Sequence, residues 1–221
     1  MNKWDMLRGK GAIFDLDGTL IDSMQIWREI DKEFFARRGM KIPQGYQAKI
    51  AHLGFRDVAA FTVKNYLPDE REEDLIAEWD GMCLQKYGAL DAAKYFKEGA
   101  VEFIRALRGR GVPLAVATAS SPRLFEPILR AGGVFGLFEG FFTVDDAGRN
   151  KSFPDIFLLC AGKLGLAPED CVVFEDNLIP LRAAKSAGMR AVAVYDLSAE
   201  SHEKDLRREA DLYIRSFTEM L

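Results

Sequence analysis

The first apolar run in the chain, Gly11-Ala12-Ile13-Phe14, stops abruptly at Asp15-Leu16-Asp17-Gly18-Thr19. A short apolar run ended by acids and glycine reads as a buried strand whose loop carries polar groups. The next seventy or so residues follow a different rhythm. Met24, Trp27, Ile30 and Phe34 recur at spacings of three and four, the mark of a helix face. Ser23 stands where an N-cap would and Gly39 where a helix would stop. Two further helical stretches follow, about 57–66 and 70–87, the second carrying Leu75, Trp79 and Met82 on one face. This block predicts a small helical bundle.

From Gly99 onward helix and strand alternate. Val101, Ile104 and Leu107 mark a helix, and 112–117 a strand. A helix over 122–131 starts with Pro122, a residue suited to a first helical turn. A short strand over 141–144, a helix over 154–164 closed by Gly165, and a strand over 171–174 come next. Leu181, Ala184 and Ala187 mark another helix, and 191–194 and 212–214 the last strands. Repeated strand–helix–strand units predict a parallel sheet covered on both faces. The fold class is therefore α/β, a doubly wound parallel-sheet core with a helical insertion after its first strand. The expected division is a core of 1–21 and 94–221, with an inserted α-helical cap of 22–93.

At 221 residues, 48% hydrophobic and 29% charged, the chain suits one packed globule carrying a sizeable insertion. A net charge of −4 argues against a uniformly basic nucleic-acid surface. Any anionic substrate must then be attracted by a few local cations or a bound metal. Cys83, Cys160 and Cys171 are odd in number and lack metal-ligand spacing, which favours three apolar fillers in a reducing compartment. No apolar run is long enough to span a bilayer, and 1–10 lack an apolar signal region. A cytoplasmic protein, monomeric or weakly dimeric, without nucleic-acid or membrane partners, is the expectation.

In open parallel sheets ligands bind beyond the carboxyl ends of the strands. Three of these ends carry chemistry: Asp15 with Asp17, Thr118-Ala119-Ser120, and Glu175-Asp176; Lys151 sits in a loop before a helix. Carboxylates crowded at one edge repel each other, and a hard divalent cation relieves this; Mg²⁺ prefers such oxygen ligands. The metal, Lys151 and the Thr118 hydroxyl would neutralise and orient a phosphate. Asp15 could then attack phosphorus, while Asp17 serves as acid on the leaving oxygen and then as base on water. Gly18 tolerates backbone conformations that place free N–H groups around phosphoryl oxygens.

The run Phe14-Asp15-Leu16-Asp17-Gly18-Thr19-Leu20 resembles the first motif of the haloacid dehalogenase superfamily. Thr118, then Lys151 with Pro154-Asp155, then Glu175-Asp176 resemble its second to fourth motifs, in family order across about 160 residues. The insertion resembles the helical cap of the β-phosphoglucomutase-like branch. The resemblance implies an Mg²⁺-dependent phosphatase of a small phosphorylated metabolite, a sugar phosphate or similar, working through an aspartyl-phosphate. It implies Asp15 as nucleophile and metal ligand, and Asp17 as acid/base lending its backbone carbonyl to the metal. Thr118 and Lys151 would bind the phosphoryl group, and Asp176 and Glu175 would serve the metal. Gly18, Thr19, Ala119 and Ser120 are the expected substrate-side residues of the core. From the cap, Arg56 is the candidate substrate contact, with Lys49 and His52 beside the same Leu53-Gly54-Phe55 loop. Three positions depart from the family pattern: Ser152, Asn177 and Pro180.

Several residues also have plainer readings. Trp27 shares a face with Ile30 and Phe34 and is expected in the cap core. Asp145-Asp146 reads as a turn; Asp22 resembles a family position, with a capping role as the alternative. The rival functions are a mutase of the β-phosphoglucomutase type and a non-catalytic protein that binds a phosphometabolite. Such mutases commonly carry His near the Trp27 position and Val where Thr19 stands, and both differences favour a phosphatase.

Overall fold

The computed structural model describes residues 6–7, 10–50, 53–88 and 95–221. Its centre is a six-stranded parallel sheet in the order β3-β2-β1-β4-β5-β6. The strands are β1 (Gly11–Phe14), β2 (Leu114–Thr118), β3 (Gly140–Thr143), β4 (Cys171–Glu175), β5 (Arg190–Val194) and β6 (Leu212–Ile214). The chain starts in the middle, winds outward to β3, and returns through β4 to the other edge. Strand order therefore reverses between β1 and β4, which pair from Gly11↔Cys171 to Phe14↔Phe174. That reversal opens a crevice beyond their carboxyl ends.

The apolar runs of β1, β2 and β4 are buried along their whole length because both sheet faces are covered. Alternate residues serve opposite layers. Phe14, Val116 and Phe174 point to one face, where Phe103 of α5 (Ala100–Gly109) and Phe217 pack on them. Phe14 stacks on Phe174 with centroids 4.6 Å apart and planes 13° apart. Ile13, Ala117 and Val173 point to the other face, beneath α8 (Asp155–Leu164) and α9 (Leu178–Ser186).

Between β1 and α5 lie four helices: α1 (Met24–Arg37), α2 (Tyr46–Ile50), α3 (Phe55–Tyr66) and α4 (Glu72–Gly88). They bury a separate cluster that includes Ile30, Phe34, Phe35, Tyr46 and Trp79. Leu124 of α6 (Pro122–Ala131) joins that cluster from the core side. The two connections crossing between cap and core run side by side. Ile21 and Phe96 form an antiparallel bridge, with Asp22 N donating to Tyr95 O and Lys97 N to Leu20 O.

Two local expectations are corrected. Val144 does not extend the third strand, and Asp145-Asp146 is not a loop turn. Thr143 caps a one-turn helix, α7 (Val144–Ala147), by accepting from Asp146 N while the Asp146 carboxylate accepts from Thr143 N. This reciprocal capping box ends the strand one residue early. The second strand begins at Leu114 rather than Val112, since Pro113 has no N–H to give a ladder. Two short helices carried no periodic signal, α2 and α10 (Glu203–Glu209). No helix among the described residues is long and apolar enough to cross a membrane.

Candidate active site

The β1–β4 crevice gathers the acids. Carboxylate oxygens of Asp15, Glu175 and Asp176 lie within 4.8 Å of one another, and all three residues are buried. Asp15 ends β1, its N–H held by Phe174 O at 3.0 Å. Glu175 and Asp176 end β4, where Glu175 Oε1 accepts from Asn177 N at 3.1 Å. Lys151 reaches in from the loop between α7 and α8. Its Nζ donates to Asp15 Oδ1 at 2.7 Å and to Glu175 Oε2 at 2.5 Å.

The electrostatics are unbalanced. Burial pushes the Asp15 carboxyl up to about 7, the Glu175 charge adds to the rise, and Lys151 offsets only part of it. Burial, then Glu175 and Asp15, push Asp176 well above the ordinary carboxylate range. Burial alone would depress the Lys151 ammonium, but Asp15 and Glu175 together outweigh it and hold its pKa raised. Ionised together, three carboxylates and one ammonium leave two negative charges uncompensated in a buried site. An all-oxygen donor set with that excess fits a hard divalent cation.

The Asp17 carboxylate lies outside this cluster. Its Oδ2 accepts from Ser120 Oγ at 2.5 Å. Its Oδ1 accepts from Ser23 Oγ at 2.6 Å and from Trp27 Nε1 at 3.0 Å. The turn that follows the two aspartates depends on Gly18, whose φ is +87°. A Cβ there would stand 2.5 Å from Asp176 Oδ2, so the residue both frees the backbone and clears the acid.

The other expected site residues divide into those the structure brings in and those it leaves at the rim. The Thr19 hydroxyl is fully buried and donates to Asp176 Oδ1 at 3.0 Å, so it braces the acid cluster. Thr118 is buried at the end of β2, its Oγ1 accepting from Ser120 N at 3.0 Å. Ala119 is half-buried against the α8 layer. Arg56 stands at the start of α3, largely exposed, with Nε 3.8 Å from Asp145 Oδ2. Lys49 is exposed on α2, and His52 lies outside the described residues. Asp22 is no cap; it sits at the hinge, 3.7 Å from Lys97 Nζ.

Ser23 and Trp27 keep the expected positions and add hydrogen bonds to Asp17. Ser23 does occupy the N-cap position of α1, but its hydroxyl makes no cap bond and goes to Asp17. Trp27 packs on the cap cluster as its helical face requires, yet its indole N–H is spent on Asp17. A buried indole N–H needs an acceptor, and that need was the available signal. The departures Asn177 and Pro180 are absorbed locally. Asn177 Oδ1 caps α9 through Ile179 N, and Pro180 falls in the first turn of the helix.

The model of the haloacid dehalogenase-like hydrolases matches residues 10–188. The chain belongs to that family. Among its relatives, the fructose-1-phosphate phosphatase of Escherichia coli (strain K12) is 30% identical over 197 residues, covering 85% of this chain and 97% of the relative. The validoxylamine A 7'-phosphate phosphatase of Streptomyces hygroscopicus subsp. limoneus is 30% identical over 213 residues, covering 96% and 95%. The structure of CbbY from Rhodobacter sphaeroides in complex with phosphate superposes with a TM-score of 0.78 at 26% identity, covering 96% of each chain. The acid cluster and these phosphatase relatives make this chain an enzyme of the family's phosphatase type, acting on a small phosphorylated metabolite.

Proposed function

We propose that the chain is an Mg²⁺-dependent phosphatase of a hydroxylated monophosphate, a sugar or polyol phosphate, and that Asp15 is its nucleophile. The observation that carries this is the juxtaposition of the buried Asp15–Glu175–Asp176 cluster with Lys151, one loop turn from Asp17. A divalent cation held by Asp15, Glu175, Asp176 and the Asp17 carbonyl would screen the acids from the phosphate dianion. Lys151 and the Thr118 hydroxyl orient the phosphoryl oxygens, whereas the Gly18 and Thr19 N–H groups that were expected to help are spent within their own turn, on Ile21 O and Leu16 O. Thr19 and Ser120 act on the same loops, and Arg56 reaches the substrate from the cap rim.

In the first half-reaction an Asp15 carboxylate oxygen bonds to phosphorus as the ester P–O bond breaks, and Asp17 gives its proton to the leaving alkoxide oxygen. In the second, Asp17 takes a proton from water as that water attacks phosphorus. The acyl-phosphate bond breaks, inorganic phosphate leaves, and Asp15 is restored. A helical cap of 22–93 over a core of 1–21 and 94–221 excludes bulk water and selects small esters. The names of the relatives, phosphatases of fructose 1-phosphate, of hexitol phosphates and of validoxylamine A 7'-phosphate, support a hydroxylated leaving group. Three buried free cysteines suit a reducing cytoplasm.

The test is phosphate release from a panel of small phosphoesters with Mg²⁺ and again with a chelator. Metal-dependent release is expected. Isomerisation of a sugar phosphate without net phosphate release would overturn the reading in favour of a mutase.

A further inference from the structure

Ser152, the remaining departure from the family pattern, is not taken up by a helix as Asn177 and Pro180 are. Its N–H and its hydroxyl both donate to Asn150 Oδ1, at 3.0 and 2.6 Å. The second of these bonds needs the hydroxyl that the departure supplies. Asn150 and Ser152 flank Lys151, the ammonium of the acid cluster. One residue further out on each side, the Arg149 guanidinium lies over the Phe153 ring, 3.4 Å from its centroid. Two side-chain pairs therefore close around Lys151, while Lys151 itself is buried and points inward to Asp15 and Glu175. Neighbours that lock a functional side chain in this way hold it ready for its task.

Asn150 has a second partner, in the cap. With Oδ1 taken up by two donors, its amide NH2 must face away from the loop; turned over, it would set donors against donors. Nδ2 donates to Asp57 Oδ2 at 3.1 Å. Asp57 lies in the first turn of α3. That turn is seated on the core: Gly54 is buried close to Val144, and Arg56 Nε stands 3.8 Å from Asp145 Oδ2. Cap and core meet here through side chains, whereas at Ile21 and Phe96 the chain itself crosses.

One amide thus serves two tasks. Its oxygen shapes the loop that carries Lys151, and its nitrogen holds the first turn of the cap helix α3. With α3 seated, both ends of the amide are satisfied and its rotation is blocked. With α3 lifted, Nδ2 turns to water and the amide is free to rotate out of its bonds to Ser152. A hydrogen bond at a half-exposed site contributes modestly, so such a link tunes turnover and does not switch it.

We propose that Asn150 is a positioning residue, a relay by which the seating of Asp57 on the core steadies Lys151. This rests on the phosphatase reading for what Lys151 does to the phosphoryl oxygens, and it adds the side chain through which α3 acts on that lysine. Ser152 belongs to the relay because it fixes which end of the Asn150 amide faces the cap.

The test follows Asp57, an exposed cap residue whose loss reaches a core loop only through the relay. Amide hydrogen exchange over 148–154, read by mass spectrometry, should quicken about threefold to tenfold in Asp57→Ala and at least as much in Asn150→Ala. The double variant should exchange no faster than Asn150→Ala, since both changes break one chain of contacts. For the same variants kcat/KM should fall by a similar factor on a hexitol monophosphate and on ethyl phosphate, because both present the same phosphoryl group to Lys151. Asp57→Asn keeps an acceptor oxygen and should restore both readouts. A loss that came from the charge at the start of α3 would persist in Asp57→Asn, and that persistence overturns the relay. So does unchanged exchange in Asp57→Ala, additive exchange in the double variant, or a loss confined to one ester. If wild type releases phosphate from neither ester, the phosphatase reading fails, and the exchange data decide the relay by themselves.

Discussion

Trp27 Nε1 donates to Asp17 Oδ1 at 3.0 Å, so a side chain of the first cap helix grips the residue proposed as the acid. Ser23 and Ser120 complete the grip, one from each side of the hinge. Trp27→Phe keeps the ring against Phe55, 5.5 Å away, and deletes only the donor. A hydrogen bond to a charged group is worth roughly 1.5–3 kcal/mol. We expect kcat to fall about tenfold or more on that scale, with KM little changed. Steady-state kinetics on one ester decide it, and an unaltered kcat would reduce the contact to packing.

Asp15→Asn removes the nucleophile while keeping the shape of the site. Turnover should fall by a factor on the order of 10⁴ or more, as when a nucleophile is deleted elsewhere. Substantial residual phosphate release would refute the assignment.

The acid cluster should make the protein's stability depend on the divalent ion. At a hundred times its dissociation constant, a ligand specific to the folded state adds about 2.7 kcal/mol. For a chain of this size that is a rise in Tm of roughly 5–10 °C. A thermal melt with Mg²⁺ and with chelator measures it. Asp176→Asn should lose most of the shift, and a full shift in that variant would place the ion elsewhere.

Asp31 offers a pH test away from the cluster. It is buried in the cap, and burial pushes its carboxyl from an ordinary 3.8 up to about 6, Gln47 offsetting little. A raised acid pKa means that the folded state holds the proton more tightly than the unfolded one. The penalty is therefore absent below pH 3.8, grows as pH rises, and is complete above about 6. Two pKa units correspond to about 3 kcal/mol. Asp31→Asn should thus match wild type in Tm near pH 4 and exceed it by several degrees near pH 7.5. A gap that does not vary with pH would rule out this origin.

Gly54 and Val144 form a close cap–core contact; a Cβ on Gly54 would stand 2.5 Å from Val144 Cγ2. Gly54→Ala should raise KM by pushing the cap off the core, and adding Val144→Ala should restore it. Absence of rescue in the double variant would remove this contact from cap docking.

The strand ends were legible because the chemistry there interrupts apolar runs: Asp15 after Phe14 and Glu175 after Phe174 each break a buried stretch. Helix faces such as Leu75, Trp79 and Met82 were legible from spacing alone. Thr143–Asp146 was not, since a capping box and a loop turn use the same residue types and only the reciprocal bonds tell them apart. Ser23 and Trp27 carried their expected roles in position but not in hydrogen bonding. Their partner, Asp17, is close in sequence, yet the helix that orients them is set by packing in the distant cap core.

The antiparallel bridge between Ile21 and Phe96 makes the insertion a cassette. Its two attachment points leave the sheet side by side, so closing a longer or shorter inserted segment changes the chain entropy only logarithmically with its length. The nucleophile's strand need not sense what has been threaded between those points. Selectivity could then be rewritten by exchanging the segment wholesale, with the hydrolytic machinery inherited intact.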